Sequence, residues 1–355
     1  MLLSGIFPPI TTPFYPQGNV YFKKLEANVE RYSKTPAAGI AVLGSTGEAI
    51  MLSDLERRDV LQTARDASAP SKVLIAGTGM ESADETLQLT EYAAKVGYDV
   101  ALVRTPHFYR KQMAPANLLA FYRFVADRSP LPMLIYNVPP FTAYDIPAEI
   151  VIELAGHPNI VGIKESGGDV EKVRRMVEGT RQVKRSATVT ETFEAVTPRM
   201  LSASAKGNGE LVSIAGLTGM REASKASSAA VSVVSGLKTR QKEVGFQVLV
   251  GAAQTLEPSL QVGAVGAILG FADPAPTACY EIYAAWKEGD HELARLKQQR
   301  IAKASHRIVG ELGIPAIKYA MDFNGYYGGP GRLPLLPITA NVKEEVERLL
   351  SDIRN

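Results

Sequence analysis

Eight short apolar runs, each followed by an amphipathic segment, limit what this chain can fold into more than any other feature. The runs are Gly5–Ile10, Gly39–Leu43, Val73–Ala76, Val100–Val103, Met133–Tyr136 and Ile160–Ile163, then, after a long interruption, Phe246–Val250 and Val265–Leu269. Segments with apolar residues at helical spacing follow them: Tyr21–Ser33, Asp54–Ala67, Ala83–Val96, Pro115–Asp127, Pro147–Ala155, Val170–Gly179, Ala253–Val262 and Pro276–Glu288. Strands this apolar must be covered on both faces, which calls for a parallel sheet under helices. Eight such units predict an α/β fold of the TIM (β/α)8 barrel type rather than an open sheet.

The barrel is expected to occupy residues 1–182 and 245–289, with an insertion over 183–244 between the sixth helix and the seventh strand. An insertion there emerges at the bottom of the barrel, opposite the face where such barrels place their chemistry. It is rich in Ser, Ala, Thr and Gly, with a strand-like patch at Thr188–Val196 and a helix-compatible run at Arg221–Val234. The tripeptide Thr-Arg-Gln brackets it, at Thr180–Gln182 and Thr239–Gln241. Residues 290–355 form a C-terminal helical region, with runs His291–Val309, Pro315–Phe323 and Val342–Ile353 expected on the outside of the barrel and in an oligomer.

Several function classes find no support. A net charge of +2 without a basic tract suggests neither nucleic acid nor an anionic membrane as a partner. No segment approaches the length of a membrane span, and the opening residues lack a basic region and break at Pro8-Pro9, unlike a secretory leader. One cysteine, Cys279, allows no internal disulfide and fits the cytoplasm. His107, His157, His291 and His306 are scattered without metal-ligand spacing, and neither GxGxxG nor a P-loop occurs. No metal or cofactor is therefore expected, and the chemistry falls to side chains.

In a barrel of this type the informative residues lie at the carboxyl ends of strands. Lys164 ends the run Ile160–Ile163, just before Ser166-Gly167-Gly168 opens a helix at Asp169. Burial at such a place disfavours the ammonium form of a lysine, and a neutral amine attacks ketones to give a Schiff base. The alternative is an ordinary lysine closing a strand at the surface. Tyr136 stands where a phenol would relay protons beside an imine, or else is a core tyrosine. The loop Gly44–Glu48 can turn N–H groups and the hydroxyls of Ser45 and Thr46 toward an anion, or simply cap the next helix. Glu48 and Glu165 read as structural carboxylates, His107 as a bystander, and Gly325–Gly331 as a structural turn. A small, hydroxyl-rich mouth with one lysine suits a carboxylate-bearing ketone.

Five stretches in order carry a family likeness: Gly5–Phe14, Gly44–Glu48, Tyr136–Pro139, Gly162–Ser166 and Arg332–Leu335. They resemble the dihydrodipicolinate synthase / N-acetylneuraminate lyase family of class I, Schiff-base aldolases. His157–Val170, Phe246–Gly251 and Phe323–Pro330 look most like 4-hydroxy-2-oxoglutarate aldolase. The resemblance implies Lys164 as the Schiff-base lysine, Tyr136 as proton relay, Ser45 and Thr46 as holders of the substrate carboxylate, and Ser166 and Gly251 as pocket lining. It implies a homo-oligomer, dimer or tetramer, in which a neighbouring subunit supplies an aromatic residue to the relay, here Phe108 or Tyr109. Phe141 stands where dihydrodipicolinate synthases place an arginine. The expected reaction is cleavage of a 2-oxo acid, 4-hydroxy-2-oxoglutarate, to pyruvate and glyoxylate. Alternatives are dihydrodipicolinate synthesis, cleavage or dehydration of a 2-keto-3-deoxy sugar acid, and, in another class, a non-catalytic ligand-binding barrel.

Overall fold

The computed structural model describes residues 1–192, 194–207, 232–234 and 237–353. Eight parallel strands form one sheet. They are β1 Gly5–Phe7, β2 Gly39–Val42, β3 Val73–Gly77, β4 Val100–Arg104, β5 Met133–Asn137 and β6 Ile160–Glu165, and, beyond the insertion strands β7 Arg185–Thr190, β8 Ser232–Val234 and β9 Leu237–Val244, β10 Gln247–Val250 and β11 Gly266–Ile268. The sheet runs β1-β11-β10-β6-β5-β4-β3-β2. It closes on itself, because Ala38 and Ala41 N–H donate to the carbonyls of Ile6 and Pro8 across the β1/β2 seam, both at 2.9 Å.

Two apolar layers follow from this closure. Phe7, Leu102, Leu134, Tyr136 and Leu249 pack in the barrel interior, while the larger outer cluster fills the space under the helices. Helix starts carry the signals expected of them. Ser53 and Glu56 form a reciprocal capping box on Asp54–Ala67, and Asp169 accepts from the N–H groups of Glu171 and Lys172 on Val170–Gly179. Gly97, at φ 103°, ends Ala83–Val96 in the left-handed conformation that a side chain would strain.

The insertion strands pair antiparallel in a separate three-stranded sheet, β7-β9-β8, with Thr190 opposite Thr239. Their neighbours are residues that precede barrel strands. Arg185 donates to the carbonyls of Ala155 and His157, each at 2.8 Å, and Arg199 donates to the carbonyl of Lys72 and pairs with Asp99 at 3.1 Å. The helix-compatible run Arg221–Val234 is corrected at its end, where Ser232–Val234 is a strand paired with Leu237–Thr239; its earlier residues lie outside the described residues. The two Thr-Arg-Gln copies differ in conformation, since Thr180 closes a helix and Thr239–Gln241 lies in β9.

The C-terminal region does more than cover the outside. From the helix Ile314–Phe323, Lys318 is buried and reaches Glu48 at 2.6 Å and the carbonyls of Thr12 and Pro330. Its partner residue Glu48 sits at φ 54° in the loop after β2, and also accepts from Arg332 N–H at 2.9 Å. The Gly325–Gly331 turn is tied down by Asp322, which accepts from Gly328 and Gly329 N–H. A Cβ on Gly328 would stand 1.8 Å from the Lys318 carbonyl oxygen, so this glycine is required by close backbone approach. The tail thus fixes the loop that carries Ser45 and Thr46.

Candidate active site

Strand register builds the site. Across β4, β5, β6 and β10 the partners at one level are Arg104, Tyr136, Lys164 and Leu249. Residues paired across parallel strands point to the same face, and Leu102, Leu134, Tyr136 and Leu249 belong to the interior cluster. Arg104, Tyr136 and Lys164 therefore form the top rung of the inward-facing ladder.

Lys164 is buried, 4% exposed, and its Nζ lies 4.2 Å from the centroid of the Tyr136 ring. The Tyr136 hydroxyl is 3.2 Å from Ser45 Oγ. These three residues, drawn from the ends of β6, β5 and the loop after β2, meet as the spacing suggested. Thr46 Oγ1 stands on the side of the residues that follow β11, 3.6 Å from where a Cβ on Gly270 would stand. Gly251 and Ser166 meet closely. A Cβ on Gly251 would fall 1.9 Å from Ser166 Oγ, a buried hydroxyl without a hydrogen-bond partner among the described residues.

Glu165 is held in a structural network. It accepts from Asn137 Nδ2 at 2.9 Å and from Gly167 N–H at 2.7 Å, and pairs with Lys172 at 3.0 Å, while Asn137 and Lys172 both also bind Asp145. This fixes the turn after β6 on which Lys164 depends.

A cavity of about 490 Å³ opens from Ser45 and Tyr136 toward Arg104, His107, Phe108 and Phe141. Phe108, Tyr109 and Phe141 are exposed, at 75%, 67% and 60%, and Phe108 stacks edge-on against Tyr109. None of them hydrogen-bonds Tyr136 within the chain.

Two residues near the site are not singled out in the sequence reading, Arg104 in the cavity wall and Asp273 close enough to feel the Lys164 charge. The apolar run Val100–Val103 stops one residue short of Arg104, although the alternation Val100, Leu102, Arg104 assigns it to the inner face. Asp273, after β11, is wholly buried with both carboxylate oxygens unpartnered among the described residues. Burial pushes this carboxyl well above the usual carboxylate range, against the opposing pull of the Lys164 amine. No sequence signal marks it beyond its place at a strand end.

Among the described residues there is no group of three or more His, Cys, Asp or Glu placed to hold a metal ion, and no helix long and apolar enough to cross a membrane.

The family match puts this closed parallel barrel among the pyruvate-type class I carbon–carbon lyases. The chain belongs to the Dihydrodipicolinate synthetase family, which it matches over residues 2–213 and 208–353. It is 28% identical over 352 residues to a 4-hydroxy-tetrahydrodipicolinate synthase of Methanosarcina barkeri, covering 98% of this chain and 99% of the relative. An Exiguobacterium protein of the same name is 25% identical, covering 97% of this chain and 96% of its own length. Among solved structures, dihydrodipicolinate synthase of Thermotoga maritima superposes with a TM-score of 0.76 at 23% identity, covering 99% of both chains. YagE, a prophage protein of the same family from E. coli solved in complex with pyruvate, gives a TM-score of 0.75 at 24% identity with the same coverage.

Proposed function

We propose that this enzyme joins or cleaves the bond between the carbon α to the ketone of a 2-oxo acid and the carbon beyond it, with Lys164 as the Schiff-base residue. The observation that carries the reading is the Lys164 amine, buried 4.2 Å from the Tyr136 ring centroid at the carboxyl mouth of the barrel. Nζ adds to the ketone carbon, water leaves, and a protonated imine forms. In the cleavage direction a proton is removed from the hydroxyl two carbons from the imine, the intervening bond breaks, and its electron pair flows into the imine. An aldehyde departs and an enamine remains. Protonation of the enamine carbon and hydrolysis give pyruvate and free Lys164. Tyr136, 3.2 Å from Ser45 Oγ, is placed to carry the hydroxyl proton, and Ser45 with Thr46 takes the substrate carboxylate. Ser166 and Gly251 shape the floor beside the lysine.

The relatives named 4-hydroxy-tetrahydrodipicolinate synthase support the condensing direction, in which pyruvate on Lys164 adds to the aldehyde of aspartate semialdehyde. Cleavage of 4-hydroxy-2-oxoglutarate to pyruvate and glyoxylate is the second reading, and Phe141 favours it, since this exposed aromatic replaces the arginine of dihydrodipicolinate synthases. A homo-oligomer accounts for the exposed Phe108 and Tyr109, one of which would enter a neighbouring subunit's relay. The lone buried Cys279 agrees with a cytoplasmic enzyme.

Borohydride reduction with pyruvate, read by intact mass, tests the chemistry. A stable adduct that disappears in Lys164→Ala is expected, and an unmodified wild-type protein would falsify the Schiff base. Initial rates with aspartate semialdehyde plus pyruvate, compared with 4-hydroxy-2-oxoglutarate, then decide between the two substrates.

A further inference from the structure

We propose that Arg104 determines specificity at this site by binding a carboxylate at the far end of the substrate, on the part that becomes or derives from the aldehyde. The proposal rests on Lys164 acting as the Schiff-base residue and deepens that reading by naming the substrate class: 2-oxo acids with a second, distal carboxylate.

Register places Arg104 in the inner row of the barrel, one strand from Tyr136 and two from Lys164. Two strand spacings amount to roughly 10 Å between backbones, about the span of a five- or six-carbon dicarboxylic acid once both side chains reach inward. Arg104 lines the same cavity as Tyr136 and Ser45. It is the inward-facing cation beyond Lys164 on this rung, where the same row on β5 and β10 offers a phenol and a leucine.

Its guanidinium is oriented on one side only. Nη1 donates to Glu81 at 2.7 Å, lies 2.8 Å from His107 Nδ1 and also reaches the Thr105 carbonyl. Among the described residues no bond engages Nε or Nη2. An arginine held at one corner keeps a two-donor edge for a carboxylate, which bidentate pairing suits in geometry and strength. Glu81 is itself fixed, because its other oxygen accepts from the N–H groups of His107 and Phe108. Burial would raise its carboxyl, but those N–H donors and Arg104 outweigh burial and hold it below the usual range, so it stays an anionic anchor.

The chain also clears the arginine's path. A Cβ on Gly79 would stand 2.3 Å from Arg104 N and 2.9 Å from its Cγ, so only glycine lets β4 end with this side chain laid across the loop after β3. Phe141, which lines the same cavity, is uncharged, and the other lining guanidinium, Arg57, has its Nε engaged by the Ala49 carbonyl at 3.1 Å.

The test uses borohydride trapping with two five-carbon acids that differ only at the far end, 2-oxoglutarate and 2-oxopentanoate, and with pyruvate as a control. Half-trapping concentrations are read by intact mass for the wild type, Arg104→Met and Arg104→Lys. The wild type should prefer 2-oxoglutarate by about tenfold to hundredfold, the worth of a charge-assisted pair. Arg104→Met should lose that preference while still yielding a pyruvate adduct, and Arg104→Lys should keep part of it. A wild type without preference, or an Arg104→Met protein that retains it, overturns the role of Arg104 and leaves the Schiff base standing. A wild type that traps no pyruvate overturns both.

Discussion

Asp273 buries a carboxyl group with no hydrogen-bond partner for either oxygen among the described residues. An isolated carboxylate in such a place is costly, so the proton stays on and the folded-state pKa rises well above the ordinary value near 4. The unfolded chain releases that proton near pH 4. The folded protein therefore loses stability progressively as pH rises from about 4 toward the raised value. Asp273→Asn removes the ionisable group with little change of shape. We expect it to stabilise the protein at pH 8 and to have little effect at pH 4. Urea unfolding at the two pH values checks this, and equal effects at both would refute it. At Tyr136, replacement by Phe should lower kcat by about a hundredfold to ten-thousandfold while leaving the pyruvate adduct intact, as befits a proton relay rather than a nucleophile. Steady-state rates set beside the trapped mass separate the two roles.

The loop after β2 and the tail segment from Ile314 to Leu335 act as one element. Lys318 and Glu48 are both fully buried and 2.6 Å apart, so removing the lysine strands an anion. Lys318→Met should cost about 3–5 kcal/mol, and thermal unfolding would report it. Arg332 makes the outer clamp, pairing with Glu56 at 2.6 Å and donating to the carbonyls of Gly18 and Met51. Its hydrogen bond to Glu56 holds that carboxyl down at about 2. Because the folded value lies below the unfolded one, the clamp's contribution is present above about pH 4.5 and is lost as pH falls toward 2. Glu56→Gln should accordingly flatten the acid limb of the stability curve between those values. The buried pair with Lys318 gives Glu48 a structural role in this loop.

On the scale of the whole molecule, the contacts of Arg185 and Arg199 support the proposal that the inserted segment sits away from the mouth. Arg199 and Arg185 reach residues just before β3, β4 and β6, whereas Lys164, Tyr136 and Arg104 stand at strand carboxyl ends. Joining Thr190 to Thr239 through a two-residue turn, in place of residues 191–238, should leave pyruvate trapping unchanged, since those two residues already face each other across β7 and β9. The same deletion should lower the melting temperature by a few degrees, because Arg199 no longer covers Asp99 and the carbonyl of Lys72. Loss of trapping in a folded deletion protein would show that the inserted segment acts on the mouth.

Periodicity alone determined the eight strand–helix units and, through the rule that barrel chemistry sits at strand ends, the meeting of Lys164, Tyr136 and Ser45. Apolar alternation and backbone pairing are local, so they are written into each run. What only the tertiary structure decided depends on register and on contacts far apart in the chain. Alternation assigns Arg104 to the inner face, but only the register of β4 against β5 sets it level with Tyr136 at the cavity. The pairing of Lys318 with Glu48 spans the whole barrel, and the isolation of Asp273 depends on which atoms surround it, which no single stretch of sequence specifies.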